Sequence, residues 1–335
     1  MIIVDGHLDL AYNASRGRNL LLPASRQTPD DEGTPSVGLP DLRAASVTLL
    51  CGTLFCMPAL GKDAAGYHNP DQAHAAAKHQ LQWYHQRHAQ ADIQIIRAAG
   101  QLTRTPTLNP LPATPKVILL MEGADPIRSP HEVQEWFDAG LRIVGLAWKQ
   151  TRYAGAAGAP GPLTPQGDDL LRALDAHAII HDVSHLAEES FWQLLRLARG
   201  PVIASHSNCR NIVPTDRHLS DQMIRALADR AGMIGINLYS KFLLPPAEAA
   251  ARPADLQDVV RHIRHLCDVT GDTTHVGLGT DMDGGFGAEC LPTQIRSSAD
   301  LPRLADALSA SGFTPPEVES IMAANWLRFF QRALP

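Results

Sequence analysis

The sequence predicts an α/β protein built as a (β/α)8 TIM barrel, and three observations carry that expectation. Short apolar runs alternate with amphipathic segments along all 335 residues, the pattern of parallel strands joined by helical crossovers. Eight such runs occur, nearly all followed by a helical segment. No shift in composition divides the chain, so one barrel over 1–335 is favoured over an open sheet with a second domain.

The first run is 2–4, followed by a stretch at 23–40 rich in Pro, Ser, Thr, Asp and Gly that reads as a loop excursion. Val47–Phe55 is a second strand, and 71–99 has the apolar spacing of one long helix. Residues 116–121 are so uniformly apolar that a strand covered on both faces is expected. A helix starting at Pro130 leads to a fourth strand at 141–147. The Gly, Ala and Pro of 154–167 read as a loop. Strands at 179–183, 202–204, 233–237 and 275–278 then alternate with helices at 168–177, 188–199, 220–231 and 255–269. Helices near 300–311 and 315–333 follow.

Charge and composition exclude several functions. A net charge of -6 argues against nucleic-acid binding, which normally needs a basic face. No stretch of eighteen apolar residues exists, and neither end carries a secretion or lipid-anchor signal, so a cytoplasmic protein without membrane contact is expected. The first strand is not followed by the dinucleotide-binding glycine pattern, and no phosphate-binding P-loop is present. Five cysteines, an odd number without a C-x-x-C pair, argue against a disulfide framework or a Cys-rich zinc knuckle. Fifteen histidines are the excess that points to chemistry.

A barrel of this kind carries its reacting groups at the C-terminal ends of its strands. There the sequence places His7 and Asp9, Glu122, Asp182 and His185, His206, and the run Thr280-Asp281-Met282-Asp283. Imidazole with carboxylate suits borderline divalent metals, and a two-metal centre needs a carboxylate that can bridge. His7 and Asp9, two apart in extended chain, face the same side and can reach one ion; Glu122 can bridge; His185 and His206 complete a second ion. Singly, each has an ordinary explanation as a loop cap, helix start or turn. All at strand ends of one barrel are hard to reach by accident.

Other features have structural explanations. His262 and His265 lie three apart on a helix expected outside the barrel, away from any metal. His74, His79, His85 and His88 read as the solvated face of the long helix, and Cys51 and Cys56 as small core residues. Ser205-His206-Ser207 lacks the Gly-x-Ser-x-Gly elbow of a serine hydrolase.

Taken together, Asp-Gly-His-Leu-Asp-Leu at 5–10, Met-Glu-Gly at 121–123, Asp-Val-Ser-His at 182–185, Ala-Ser-His-Ser-Asn-Cys-Arg-Asn at 204–211, Gly-Leu-Gly-Thr-Asp-Met-Asp-Gly at 277–284 and Met-Ala-Ala-Asn-Trp-Leu-Arg-Phe-Phe at 322–330 resemble the membrane (renal) dipeptidase family. The resemblance implies a barrel of the metal-dependent amidohydrolase type, with two Zn2+ ions and a bridging hydroxide that cleaves dipeptides. By that likeness His7 and Asp9 hold one ion, His185 and His206 the other, Glu122 bridges, Asp281 shuttles the proton and Arg210 holds the substrate carboxylate. Animal members carry a substrate-binding His where this chain has Trp148, whose indole N–H donates but accepts nothing, so Trp148 is expected to shape the pocket by packing. Another small-molecule amidase or lactonase on the same centre, or a metal-free binding homologue, are the alternative expectations. The preferred dipeptide, the physiological metal and whether the chain forms a homodimer are left open.

Overall fold

The computed structural model describes residues 1–59, 65–102 and 114–335. Eight parallel strands form the barrel: β1 (Ile3–Leu8), β2 (Val47–Phe55), β3 (Lys116–Glu122), β4 (Leu141–Gly145), β5 (Ile180–Asp182), β6 (Val202–Ala204), β7 (Met233–Ile236) and β8 (Val276–Leu278). Each pairs with its neighbours; β1 pairs with β8 at Asp5 and Leu278, and β2 runs beside β3 from Leu49–Lys116 to Phe55–Glu122, which closes the ring. The strand count matches the sequence expectation. No helix among the described residues is long and apolar enough to cross a membrane.

The period of two along each strand decides what fills the barrel. The deeper inward positions are Val4, Leu49, Cys51, Ile118, Leu120, Ile143, Ile180, Ile203 and Met233, which form one apolar cluster. Their neighbours in sequence, such as Leu50, Val117, Leu119, Val144 and Val202, face the surrounding helices and belong to a second cluster. Continuing the inward parity toward the C-terminal ends brings Thr53, Glu122, Asp182, Ser205 and Asn237, all buried. The barrel therefore changes from hydrocarbon to polar groups within a residue or two of each strand's end.

The opposite end is plugged by the helix Asn325–Ala333, whose Trp326, Phe329 and Phe330 join the inner cluster. Trp326 stacks on Phe330 with centroids 5.2 Å apart, and its indole N–H donates to the Leu278 carbonyl at 2.8 Å. Room for the indole comes from Gly6 and Gly277, where a Cβ would stand 2.6 and 2.4 Å from its atoms.

Three stretches depart from expectation. The helix expected over 71–99 is Pro70–Ala89; the chain then turns and adds the two-residue strand Gln94–Ile95 beside β3. Residues 154–167 hold an antiparallel hairpin, Ala154–Ala156 with Ala159–Leu163, in place of a loop. Its small residues are what allow it: a Cβ on Gly155 would lie 2.5 Å from Gly161. The helix expected over 315–333 is Pro315–Glu319 and Asn325–Ala333 joined through a π-helical turn at Ser320–Ala324. At 23–40 the excursion contains a 3-10 turn, Ala24–Arg26, and leads into the helix Leu39–Ala44. It is fastened to the barrel rim through Asp283, which accepts from the Ser36 N–H and hydroxyl and the Val37 N–H, and pairs with buried Arg18 at 3.2 Å.

Candidate metal centre

Glu122 stands at the centre of the polar layer because it continues the inward face of Ile118 and Leu120 at the end of β3. Its Oε1 lies 3.0 Å from His185 Nε2, 3.3 Å from His206 Nε2 and 3.6 Å from His7 Nε2. His7 Nε2 is also 3.8 Å from Asp9 Oδ2 and 3.9 Å from Asp281 Oδ1. Side chains from β1, β3 and the loops after β5, β6 and β8 thus meet at one point. Two of them hold unusual backbone: His185 and Asp281 have φ of 67° and 58°, a left-handed conformation uncommon outside glycine.

Hydrogen bonds aim these groups. Thr53 donates its hydroxyl to Asp9 Oδ1, and Asn237 Nδ2 donates to Asp281 Oδ2 at 2.8 Å, leaving Asp281 Oδ1 toward His7. Asp182 accepts at Oδ1 from the backbone N–H of Ser184 and Ser205, so it braces the loops that carry His185 and His206.

The electrostatics fit a cation. Burial, and then the nearby Arg217, pushes His7 down to about 3, and burial holds His185 and His206 well below the usual imidazole range. All three rings are neutral at physiological pH, the state that offers a lone pair to a metal. Burial raises Asp9 to about 7, and burial with the neighbouring carboxylates drives Glu122 and Asp281 well above the usual carboxylate range. His7 Nε2 and Glu122 Oε1 are buried yet have no hydrogen-bond partner. Such atoms are costly unless something fills the space between them. Their spacing of roughly 3–4 Å is that of ligands sharing an ion with bonds of about 2.0–2.2 Å. Among the described residues three groups bring ligand-type atoms within 4.8 Å of one another: Glu122–His185–His206, His7–Asp9–Asp281 and His7–Asp182–His206. All five residues expected as ligands from the sequence are brought together, with Asp281 beside them.

The cluster forms the floor of a cavity of about 380 Å³ walled by Tyr12, Phe55, Trp148, Tyr239, Phe242 and Phe286. That is the small end of the range for ligand pockets. Trp148 lies in this wall, with its ring 5.0 Å from Phe55 and 6.3 Å from His185.

Arg210 does not reach the cavity, a departure from expectation. Its backbone N–H donates to the Leu219 carbonyl, and its guanidinium is held by Glu188 at 2.5 Å and the His218 carbonyl at 2.9 Å. Two cations line the cavity, Lys149 beside Trp148 and Arg217 in the same loop as Arg210. Arg217 donates to the His206 carbonyl at 2.9 Å and the Ser207 hydroxyl at 3.2 Å and stands 3.1 Å from His185 Nε2, while its Nε is buried without a partner. Nothing in Thr215-Asp216-Arg217-His218 distinguishes it by pattern; only its place in the loop after β6 pointed there.

The residues set aside lie elsewhere. His262 is buried, accepting at Nδ1 from the Cys209 N–H, with its Nε2 on the Leu243 carbonyl, and His265 pairs with Asp221. His74 and His85 are less solvated than expected: their rings hydrogen-bond the Pro126 and Ala139 carbonyls and pin the helix to its neighbours. Cys51 and Cys56 are buried and unpaired.

Comparison with known proteins agrees with this geometry. Residues 1–334 match the family model described as membrane dipeptidase, peptidase family M19. An uncharacterized protein encoded in the pqqA 5' region of Klebsiella pneumoniae is 36% identical over 209 residues, covering 59% of this chain and 74% of that protein. Dipeptidase tcpJ of Claviceps purpurea is 30% identical over 197 residues, 56% of this chain and 44% of its own length. The fold is shared with a metallo peptidase from Rhodobacter sphaeroides, crystallised with a phosphinate mimic of the dipeptide L-Ala-D-Ala. That structure has a TM-score of 0.82 and 24% identity, with 99% of each chain covered. A match over essentially the whole sequence, on a barrel whose rim gathers histidines and carboxylates around one glutamate, shows that the chain belongs to the membrane dipeptidase family of metallopeptidases.

Proposed function

We propose that the protein hydrolyses dipeptides at a two-zinc centre held by His7 and Asp9 on one ion, His185 and His206 on the other, and Glu122 between them. The observation that carries this reading is the convergence of three neutral imidazole Nε2 atoms on one unpartnered glutamate oxygen. When bound, two such ions supply a water activated as nucleophile at neutral pH and polarise the scissile carbonyl.

The chain's own residues do the rest. Asp281 Oδ1 faces the cluster while Oδ2 is fixed by Asn237, so a proton taken at Oδ1 is held in place for the leaving amine. Its raised proton affinity suits a group that must both accept and return that proton. Arg217, whose side chain lines the cavity, offers its positive charge to the terminal carboxylate of the substrate, the role the sequence had pointed to Arg210 for. A fixed cation beside the metal cluster limits the distance between carboxylate and scissile bond, which selects dipeptides over longer chains. The aromatic wall, Trp148 included, packs on the substrate side chains.

Metal quantification on the purified protein and turnover of free and C-terminally amidated dipeptides test this reading. Two zinc ions per chain and chelator-sensitive cleavage are expected. Arg217→Ala should raise KM for free dipeptides roughly 10- to 100-fold, the worth of a charge-assisted pair, with little change for amides. Full metal loading without dipeptide turnover would point instead to another amide or lactone substrate.

A further inference from the structure

Beneath the cluster, one hydroxyl touches two of the proposed ligands. Ser205 Oγ lies 3.1 Å from His7 Nδ1 and 2.8 Å from His206 Nδ1, and donates to Asp182 Oδ2 at 2.5 Å. A serine hydroxyl has one hydrogen and two acceptor lone pairs. Asp182 takes the hydrogen, because its Oδ1 already accepts from the Ser184 and Ser205 N–H groups and a carboxylate donates nothing. The Ser184 hydroxyl, at 3.4 Å from Ser205 Oγ, stands beyond the usual O–H···O distance, so the lone pairs go to the two nearer Nδ1 atoms, each of which meets one as Nδ1–H. A neutral imidazole protonated at Nδ1 has its lone pair at Nε2, the atom that faces Glu122 in both rings.

We infer that Ser205 is a positioning residue that sets the tautomer of His7 and His206 together, and so prepares one ligand of each metal ion through a single hydroxyl whose polarity Asp182 fixes. Ser205 itself touches neither substrate nor metal. The arrangement also accounts for the His7–Asp182–His206 grouping: the space its atoms surround is filled by Ser205 Oγ, not left for an ion. The strand geometry keeps the serine in register, since β6 runs so close to its neighbours that a Cβ at Gly235 would come within 1.9 Å of the Ser205 carbonyl oxygen. The consequence for the metals rests on the reading of His7 and His206 as ligands; the tautomers do not.

The test is the imidazole 15N spectrum of the metal-free protein, followed by zinc affinity from chelator competition. In the parent both His7 and His206 are expected as Nδ1–H; an Nε2–H signal from either ring overturns the inference without any variant. Ser205→Ala should release both rings into mixed tautomers and weaken both zinc sites, roughly 10- to 100-fold as for other partners behind a metal ligand, and Ser205→Thr should restore them. Asp182→Asn reverses the polarity. Its amide oxygen must stay on the two backbone N–H groups, so its NH2 points at Ser205 and the serine hydrogen turns to one histidine. One ring should therefore become Nε2–H and one zinc site should weaken far more than the other. Unchanged tautomers and affinities in the Ala and Asn variants would mean that Ser205 only fills space. Two parental Nδ1–H rings with no zinc bound would leave the tautomer assignment standing and overturn the metal reading.

Discussion

The two ends of the barrel are both built from buried side chains, yet they treat polar atoms in opposite ways. At the end closed by Trp326 and Phe330, the polar groups are paired: the indole N–H has the Leu278 carbonyl, and Asn325 Nδ2 donates to the carbonyls of Thr273 and Val276. At the rim, Glu122 Oε1 and His7 Nε2 are buried with no partner, and carboxylates crowd together. Unpaired buried polar atoms cost stability, so the rim is the end where the fold gives up stability to keep imidazole and carboxylate atoms unpaired. The contrast teaches where to look for chemistry: burial is the same at both ends, and polar satisfaction is what separates them.

The sharpest way to break the contrast is at its centre. Glu122→Gln keeps the shape but removes the charge that would balance two cations; loss of at least one ion and of nearly all activity is expected, read by metal content and turnover. Asp281→Asn should spare the metal and lower kcat by roughly 10²–10⁴, the worth of a placed acid–base group. Loss of metal from the Asn variant would make Asp281 a ligand, as its grouping with His7 and Asp9 allows.

The opposite end should respond in the opposite currency. Trp326→Ala removes a fully buried indole, and a loss of ~3–5 kcal/mol in unfolding free energy is expected with turnover per folded molecule unchanged. Reduced kcat at full metal loading would mean that the plug shapes the rim.

Asp5 lies between the ends, on the β1–β8 seam, and sharpens the comparison through pH. It accepts from the Thr280 N–H and hydroxyl and the His7 N–H, but burial still lifts it to about 6. Its unfolded value is 3.8, so between about pH 4 and 6 the native state holds the extra proton. Its stabilising effect is complete below 4 and is lost as pH rises to 6, by up to ~3 kcal/mol. In metal-free protein, the wild type should therefore lose unfolding free energy relative to Asp5→Asn as pH goes from 4 to 6.5. A constant difference would place the extra proton elsewhere.

The smallest effect is expected at Trp148. Its ring packs on Phe55 in the cavity wall, so Trp148→Ala and Trp148→His should reorder dipeptides by side-chain size with metal content untouched. Loss of thermal stability alone would make it part of the core.

How far the sequence could be read follows from the same contrast. The strands and the five ligand-type residues were legible because alternation and strand ends are local patterns, and the inward parity of Ile118, Leu120 and Glu122 is written in three residues. The hairpin at Ala154–Ala156 was not, because Gly, Ala and Pro carry no periodicity and the pairing depends on two glycine backbones meeting. Arg210 was expected in the pocket and Arg217 was overlooked for one reason: which arginine of a loop turns inward depends on the contact of Cys209 with Leu219 and on Glu188 from another helix. Ser205 looked like part of a turn, and only the three-dimensional meeting of His7, His206 and Asp182 gives it a role.

The seam between β1 and β8 also has a consequence for biosynthesis. His7 and Asp9 are synthesised about 270 residues before their companion Asp281 and the strand Val276–Leu278 that pairs with β1. The plug residue Trp326, which occupies the space beside Gly6, follows later still. A growing chain that still lacks these elements has neither a closed barrel nor the side-chain cluster at its rim, so the cluster assembles only after β8 and the plug helix have been made.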